Sequence, residues 1–200
     1  MSDVIGIVNY GVAGNIHSIK KAVEKAGGQV LVLNEVNDFS KVDKLILPGV
    51  GSFKDAMQEL EKGGFISPLE EVMHSLPTLG ICLGMQILAL LGFEYGKTKG
   101  LGVVHAEVKP MLVDAAVPHM GFNSIDVIKP NQLLKGLDNE QFYFMHSYEM
   151  VNYTDISALT EYAEHQFVSA IHMGHIFGVQ FHPEKSREAG IALFENFVGL

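Results

Sequence analysis

The sequence predicts a three-layer α/β fold with a mixed central sheet, mostly parallel in the first half and with an antiparallel extension in the second. Three observations lead there. Continuous apolar, β-branched runs alternate with amphipathic helical stretches through the first half, as parallel strands covered on both faces require. The second half breaks into short strands separated by turn residues. A single amphipathic helix closes the chain.

Taken in order, "VIGIV" (Val4 to Val8) reads as a buried strand, and "NIHSIKKAVEKAGG" as a helix burying Ile16, Ile19, Ala22, Val23 and Ala26, stopped at Gly27-Gly28. "QVLVL" and "KLILP" are the next strands. Ser52 is placed to cap a helix over "FKDAMQEL", with Asp55 three residues on completing a capping-box pattern. "PTLGI" is a fourth strand, running into Cys82 and a helical "GMQILALL". "GVVHAEVKPM", "HMGFNSIDVI", "FYFMHSYEM", "FVSAIHM" and "HIFGVQFH" then read as the strands of the antiparallel extension. In "SREAGIALFENFVGL" a helix capped by Ser186 turns Ile191, Phe194 and Val198 inward. With no repeat and no Pro- or Ser-rich linker, residues 1–200 are expected to form one domain.

Composition narrows the function classes. The 14 basic and 23 acidic residues give a formal charge of −9, which repels nucleic-acid backbones and anionic membranes. One cysteine cannot form an internal disulfide, and no apolar run approaches the roughly 20 residues of a bilayer span. A cytoplasmic protein with neither nucleic-acid nor membrane partners is expected. The histidines lack metal-ligand spacing and the glycines lack a nucleotide fingerprint, so neither metal nor cofactor is expected.

Four stretches carry chemistry. Cys82 stands at a strand-to-helix junction as Gly-x-Cys-x-Gly, a pattern that presents a nucleophile on a tight turn, where side chains at Gly80 and Gly84 would collide. A helix N-terminus there favours a thiolate, although a lone cysteine also suits a packed core. In "GVQFHPEKS", His182 ends a strand and Glu184 follows two residues later, on the same side of an extended chain, as base and orienter or as an ordinary surface pair. In "ILPGVGSF", Gly49, Val50 and Gly51 follow a buried strand and are free to aim N–H groups at an oxyanion, or simply to turn the chain. In "YFMHSYEM", His146, Ser147 and Tyr148 interrupt an aromatic strand and offer contacts to a small polar substrate, or only end the strand.

Together, "LPGVGSFKDAM", "LGICLGMQ", "VPHMGFN", "YFMHSYEM" and "FGVQFHPEKS", in this order, resemble the class I, triad-type glutamine amidotransferases. Within that family the P-H-M-G and H-P-E-K-S segments are most similar to the glutaminase subunits of imidazole glycerol phosphate synthase. The resemblance spans essentially the whole chain. It implies that Cys82 attacks glutamine, that His182 shuttles the proton and that Glu184 orients His182. It further implies an oxyanion site at Gly49, Val50 and Gly51 with N–H donors from Val50 and Leu83. Gln86, His146, Ser147 and Tyr148 would line the glutamine pocket.

The resemblance also implies a partner, a separate (β/α)8-barrel cyclase subunit forming a heterodimer and receiving the ammonia. Pro118, His119, Met120, Phe122 and Asn123 match its docking segment, and Lys185 matches a docking lysine. Paralogous subunits that feed ammonia to surface-sugar amidination share these motifs, and a stand-alone thiol hydrolase keeps the same triad. Three departures from the family pattern stand out: Phe122 replaces a tryptophan, "NYGVAGNIHS" carries one extra residue, and "GFEYGKTKGLG" is poorer in acidic residues than the family's segment there.

Overall fold

The computed structural model describes residues 3–11, 14–152 and 154–200. The extra residue of the first loop falls at Val12 and Ala13, outside the described residues. Strands are β1 (Val4–Val8), β2 (Gln29–Leu33), β3 (Lys44–Leu47), β4 (Thr78–Ile81), β5 (Ala89–Gly92), β6 (Thr98–Lys99) and β7 (Val104–Pro110). They continue as β8 (His119–Ser124), β9 (Asp126–Val127), β10 (Gln141–His146), β11 (Tyr148–Val151), β12 (Ile156–Tyr162), β13 (His165–Met173) and β14 (Ile176–Val179). The helices are α1 (Ile16–Lys25), α2 (Phe53–Lys62), α3 (Ile66–Met73), α4 (Leu83–Gln86) and α5 (Arg187–Val198).

Among the described residues an eight-stranded sheet runs β2-β1-β3-β4-β14-β13-β12-β9. Its first five strands are parallel neighbours and its last three are antiparallel. Strand alternation splits the core in two. Ile5, Ile7, Ile46, Leu79 and Ile81 face α1 and α5. Val8, Leu33, Leu45 and Leu47 face α2, α3 and a second, four-stranded sheet in the order β11-β7-β5-β6. The mixed sheet between two covering layers is thus as expected. Lys44, 3% exposed, ties β3 to the end of α5 by donating to Val198 O at 2.6 Å, and it pairs with Asp3 at 3.0 Å.

Several local expectations are corrected. "GMQILALL" is one helical turn, α4, followed by strand β5, which pairs with β6 and β7. An eight-residue apolar run does not distinguish the two, and the second sheet claims its end. "FYFMHSYEM" divides at Ser147 into β10, paired with β8, and β11, paired with β7. "HIFGVQFH" contributes β14, which is antiparallel to β13 as expected but runs parallel to β4 on its other edge. In α5 the fully buried positions are Leu193, Phe194 and Phe197, with Ile191 and Val198 only partly covered. Ser52 does cap α2, accepting from Asp55 N at 3.1 Å, while Asp55 returns its carboxylate to the Ser52 hydroxyl rather than to its backbone.

Candidate active site

Cys82 sits between β4 and α4 at φ +53°, a conformation that strains any side chain but aims this one out of the sheet. Close approach of three backbone segments enforces it. A Cβ on Gly84 would lie 1.9 Å from Leu47 O, and one on Gly80 would lie 2.7 Å from Gly84 O. Both glycines are therefore sterically required, as the Gly-x-Cys-x-Gly spacing suggests. Cys82 N donates to Val179 O at 2.8 Å, pinning the elbow to the end of β14.

His182 lies on that neighbouring strand's extension, and the side chains of His182 and Glu184 are completely buried. The pair does not meet along an extended strand. A 3₁₀ turn over Pro183–Lys185 brings them together, with His182 Nδ1 at 2.8 Å from Glu184 Oε1. Because a carboxylate only accepts, Nδ1 carries the proton and Nε2 is left toward the cysteine. Burial disfavours the imidazolium, but the Cys82 and Glu184 charges outweigh it and raise the His182 pKa well above the ordinary value. Nε2 has no other hydrogen-bond partner among the described residues and is left to Cys82, whose charge and side-chain contact both raise the histidine pKa. Burial likewise opposes the Glu184 charge, and is overcome by His182 and by Asn15, leaving its pKa lowered.

Two further groups hold this pair. Asn15 Nδ2 donates to the same Glu184 oxygen at 2.9 Å. Ser186, expected as a helix cap, spends its hydroxyl elsewhere: it donates to His182 O at 2.6 Å and accepts from Tyr143 N at 2.9 Å. His182 N in turn donates to Tyr143 O at 2.8 Å, so the histidine backbone is fixed from both sides.

Val50, Gly51, Cys82, Leu83, Gln86, His146, Ser147, Tyr148 and His182 line one cavity of about 380 Å³. Gly49 does not reach it. A Cβ there would lie 2.7 Å from the Tyr10 hydroxyl and 2.9 Å from Leu83 Cβ, so Gly49 lets the loop close over those groups. Tyr10 donates to Pro48 O, and burial, followed by the charge on Cys82, pushes its hydroxyl pKa far up and keeps it a donor. The N–H groups of Val50, Gly51 and Leu83 have no hydrogen-bond partner among the described residues. Such unspent donors beside a nucleophile are what an oxyanion needs.

Gln86 Nε2 donates to Tyr148 O and to Gln180 Oε1, both at 3.0 Å, which uses both of its hydrogens and leaves Oε1 for a ligand. His146 Nδ1 also donates to Tyr148 O, at 2.9 Å. Burial, with the neighbouring histidines adding repulsion against the backbone contact, pushes the His146 pKa down to about 4. A neutral His146 spares His182 a second positive charge.

The segment expected to dock a partner divides into inner and outer residues. Met120 and Phe122 are exposed, and Pro118 reaches the wall of the cavity. His119 is turned inward, 3% exposed, stacked on Tyr162 and 3.3 Å from His146. Asn123 uses its amide within the fold, donating to Glu161 O and accepting from Ser124 N. Phe122 packs edge-on to Tyr143, with the Arg187 guanidinium 4.7 Å above it and exposed Lys185 5.7 Å over Tyr143. Arg187, absent from the sequence reading, completes a cationic-aromatic rim.

Asn15, Tyr10, Gln180, Glu94 and Tyr95 are likewise site residues that the motifs alone did not assign. Glu94 and Tyr95 line the cavity, and Glu94 accepts from Phe53 N at 2.7 Å. Gln180 carried a readable signal, since a polar side chain inside the apolar "IFGVQF" needs a buried partner. Asn15 and Tyr10 lie in "NYGVAGNIHS", a stretch compared with the family pattern, but no contact could be assigned because their partners lie far away in sequence.

Comparison with known proteins gives the family. The family model for class-I glutamine amidotransferases matches residues 7–199. Imidazole glycerol phosphate synthase subunit HisH 1 of Campylobacter jejuni (strain RM1221) is 43% identical over 98% of this chain and 100% of its own length. The HisH subunit of Aquifex aeolicus (strain VF5) is 40% identical over 96% of this chain and 94% of its own. In fold, a glutamine amidotransferase crystal structure covers 98% of this chain and is itself covered to 99%, with TM-score 0.77 and 18% identity. PurLQS from Thermotoga maritima covers 100% and is covered to 99%, with TM-score 0.79 and 15% identity. With a cysteine elbow, a buried His-Glu pair and a family match over nearly its whole length, the chain belongs to the class I glutamine amidotransferases and is an enzyme of that family.

Proposed function

We propose that this chain, one domain over residues 1–200, is the glutaminase subunit of an imidazole glycerol phosphate synthase in histidine biosynthesis. It delivers ammonia to a (β/α)8 cyclase partner rather than to water. The carrying observation is the meeting at one cavity of Cys82, on its strained turn, with the charge-raised His182, which Glu184 holds from behind. The HisH names of the relatives support the pathway.

In the proposed reaction the Cys82 thiolate attacks the side-chain amide carbon of glutamine. His182 gives the former thiol proton from Nε2 to the leaving nitrogen as the C–N bond breaks, releasing ammonia. A water then loses its proton to Nε2, attacks the γ-glutamyl thioester and releases glutamate, and the proton restores the starting pair. Val50 and Leu83 N–H groups receive the oxyanion in both steps. Gln86 Oε1 accepts from the substrate ammonium, while Ser147 and Tyr148 fit the amino-acid end. The rim of Met120, Phe122, Lys185 and Arg187 receives the cyclase.

Replacing Cys82 by alanine tests the division of labour. With a cyclase barrel present, Cys82→Ala abolishes glutamine-dependent synthesis and leaves ammonia-dependent synthesis intact. Retained glutamine-dependent synthesis overturns the reading. Steady glutamine turnover of the isolated chain at the rate of the complex would instead mark a stand-alone hydrolase.

A further inference from the structure

Inside the molecule a line of buried polar groups ends on the nucleophile. Gln180 follows β14, is fully buried, and its Nε2 lies 3.6 Å from Cys82 Sγ. Its Oε1 lies 3.0 Å from Gln86 Nε2, and that nitrogen lies 3.0 Å from Tyr148 O.

The direction of every hydrogen bond in this line follows from its far end. A main-chain carbonyl only accepts, so Gln86 must turn its nitrogen to Tyr148 O. The same nitrogen faces Gln180, which must then present its oxygen there. The amide of Gln180 has one nitrogen left, and it points at sulfur. The His146 Nδ1–H, also spent on Tyr148 O, leaves that carbonyl no reason to turn away.

We infer that Gln180 is a further member of the catalytic machinery, a fixed N–H donor that holds the Cys82 sulfur as a hydrogen-bond acceptor and so favours the thiolate that attacks. This deepens the glutaminase reading and rests on Cys82 being its nucleophile. An amide flip, which would turn an acceptor toward the sulfur, is blocked because it would set nitrogen against nitrogen at Gln86. The other groups facing the sulfur are His182 from the turn after β14, Tyr10 from the loop after β1, and Met145 O of β10 at 3.9 Å, with Glu184 behind His182 and His146 beside it. The carbonyl of Met145 repels a thiolate, so beside His182 the Gln180 amide is the contact that favours it.

The chain's only cysteine makes the test direct. Alkylation of Cys82 by iodoacetamide is followed against pH in the full chain, without glutamine or partner, for wild type, Gln180→Met and Gln180→Glu. Met fills the volume without a donor, and Glu keeps the acceptor for Gln86 while turning an oxygen on the sulfur. Both variants are expected to alkylate roughly tenfold more slowly at neutral pH, with the profile displaced to higher pH. A folded Gln180→Met that alkylates with the wild-type profile overturns the proposal. In the wild type, the Gln180 side-chain N–H resonances should move over the pH range in which alkylation accelerates, and resonances that stay fixed overturn it even when the variants do not fold. Since alkylation needs neither glutamine nor cyclase, these outcomes are independent of the Cys82→Ala synthesis assay.

Discussion

Gly84→Ala should disable the enzyme without touching a reacting atom. The added Cβ would sit 1.9 Å from Leu47 O, 2.7 Å from Leu47 C and 3.2 Å from Pro48 O. Comfortable non-bonded separations are about 3.5 Å, so α4 and β3 must separate by more than about 1 Å. Neither can rotate aside, because the obstacle is the backbone of a buried central strand. Overpacking of this kind costs about 1–3 kcal/mol, or roughly 3–10 °C in Tm for a chain of this size. The larger effect is geometric. Moving α4 carries the Leu83 N–H and Gln86 away from the 49–51 segment, and a displacement of about 1 Å at reacting groups costs about 100-fold in kcat. Glutamine hydrolysis and thermal melting of Gly84→Ala measure both. Gly199→Ala is the control, since its Cβ meets only Glu195 O at 3.4 Å and Asn196 O at 3.7 Å, and it should melt and turn over as wild type. A Gly84→Ala enzyme with wild-type turnover would show that the close approach of α4 to β3 is not what arms the elbow.

Other perturbations probe the supports of the triad. Asn15→Ala removes one of the two side-chain hydrogen bonds to Glu184 Oε1. It should lower kcat about tenfold with KM little changed, and move the acid limb of the kcat profile to higher pH, because Asn15 helps keep the Glu184 pKa low. A steady-state pH series with an unmoved limb would contradict that role. Ser186→Ala strands the Tyr143 N–H and should cost about 1–3 kcal/mol, read as a lower urea midpoint. His146 ties acid stability to the site. Its pKa is about 4 folded against 6.5 unfolded, so unfolding takes up a proton, and stability present above pH 6.5 is lost as pH falls toward 4. The loss between pH 7 and pH 4.5 should be roughly 2–3 kcal/mol, and urea titrations of His146→Gln should lack that part of it.

What the sequence made legible was chemistry confined to short stretches. Cys82 with its two glycines, His182 with Glu184, and the 49–51 turn are each readable within ten residues, and the structure gathers all but Gly49 around one cavity or directly behind it. Contacts between distant stretches were not legible. Asn15 meets Glu184 across 169 residues, and Tyr10 meets Pro48 across 38. Apolar runs hid their own boundaries: "ILALL" supports helix or strand, and only pairing of β5 with β7 decides for strand. β12 passed unread because its inward Ser157 and Thr160 disguise a buried strand as a polar one.

One strand direction explains why the site exists at all. The sequence placed "HIFGVQFH" in an antiparallel extension, and β14 does pair antiparallel with β13, but its other edge lies parallel to β4 with Gly178 opposite Gly80 and Val179 opposite Ile81. His182 and Cys82 therefore leave neighbouring strands at the same edge, three and one residues past the last registered pair. Run antiparallel, β14 would deliver its histidine to the far edge, about 13 Å away for a four-residue strand at about 3.3 Å per residue. The same edge receives the loops after β1 and β3, which bring Tyr10 and Val50. In open parallel sheets the crevice at the carboxyl ends of the strands gathers loops remote in sequence, and here it assembles the proposed nucleophile, base and oxyanion segment from four of them. The antiparallel strands beyond β14 begin only after the last of those groups has been placed in the sheet order, so the change of direction falls where the chemistry no longer needs it.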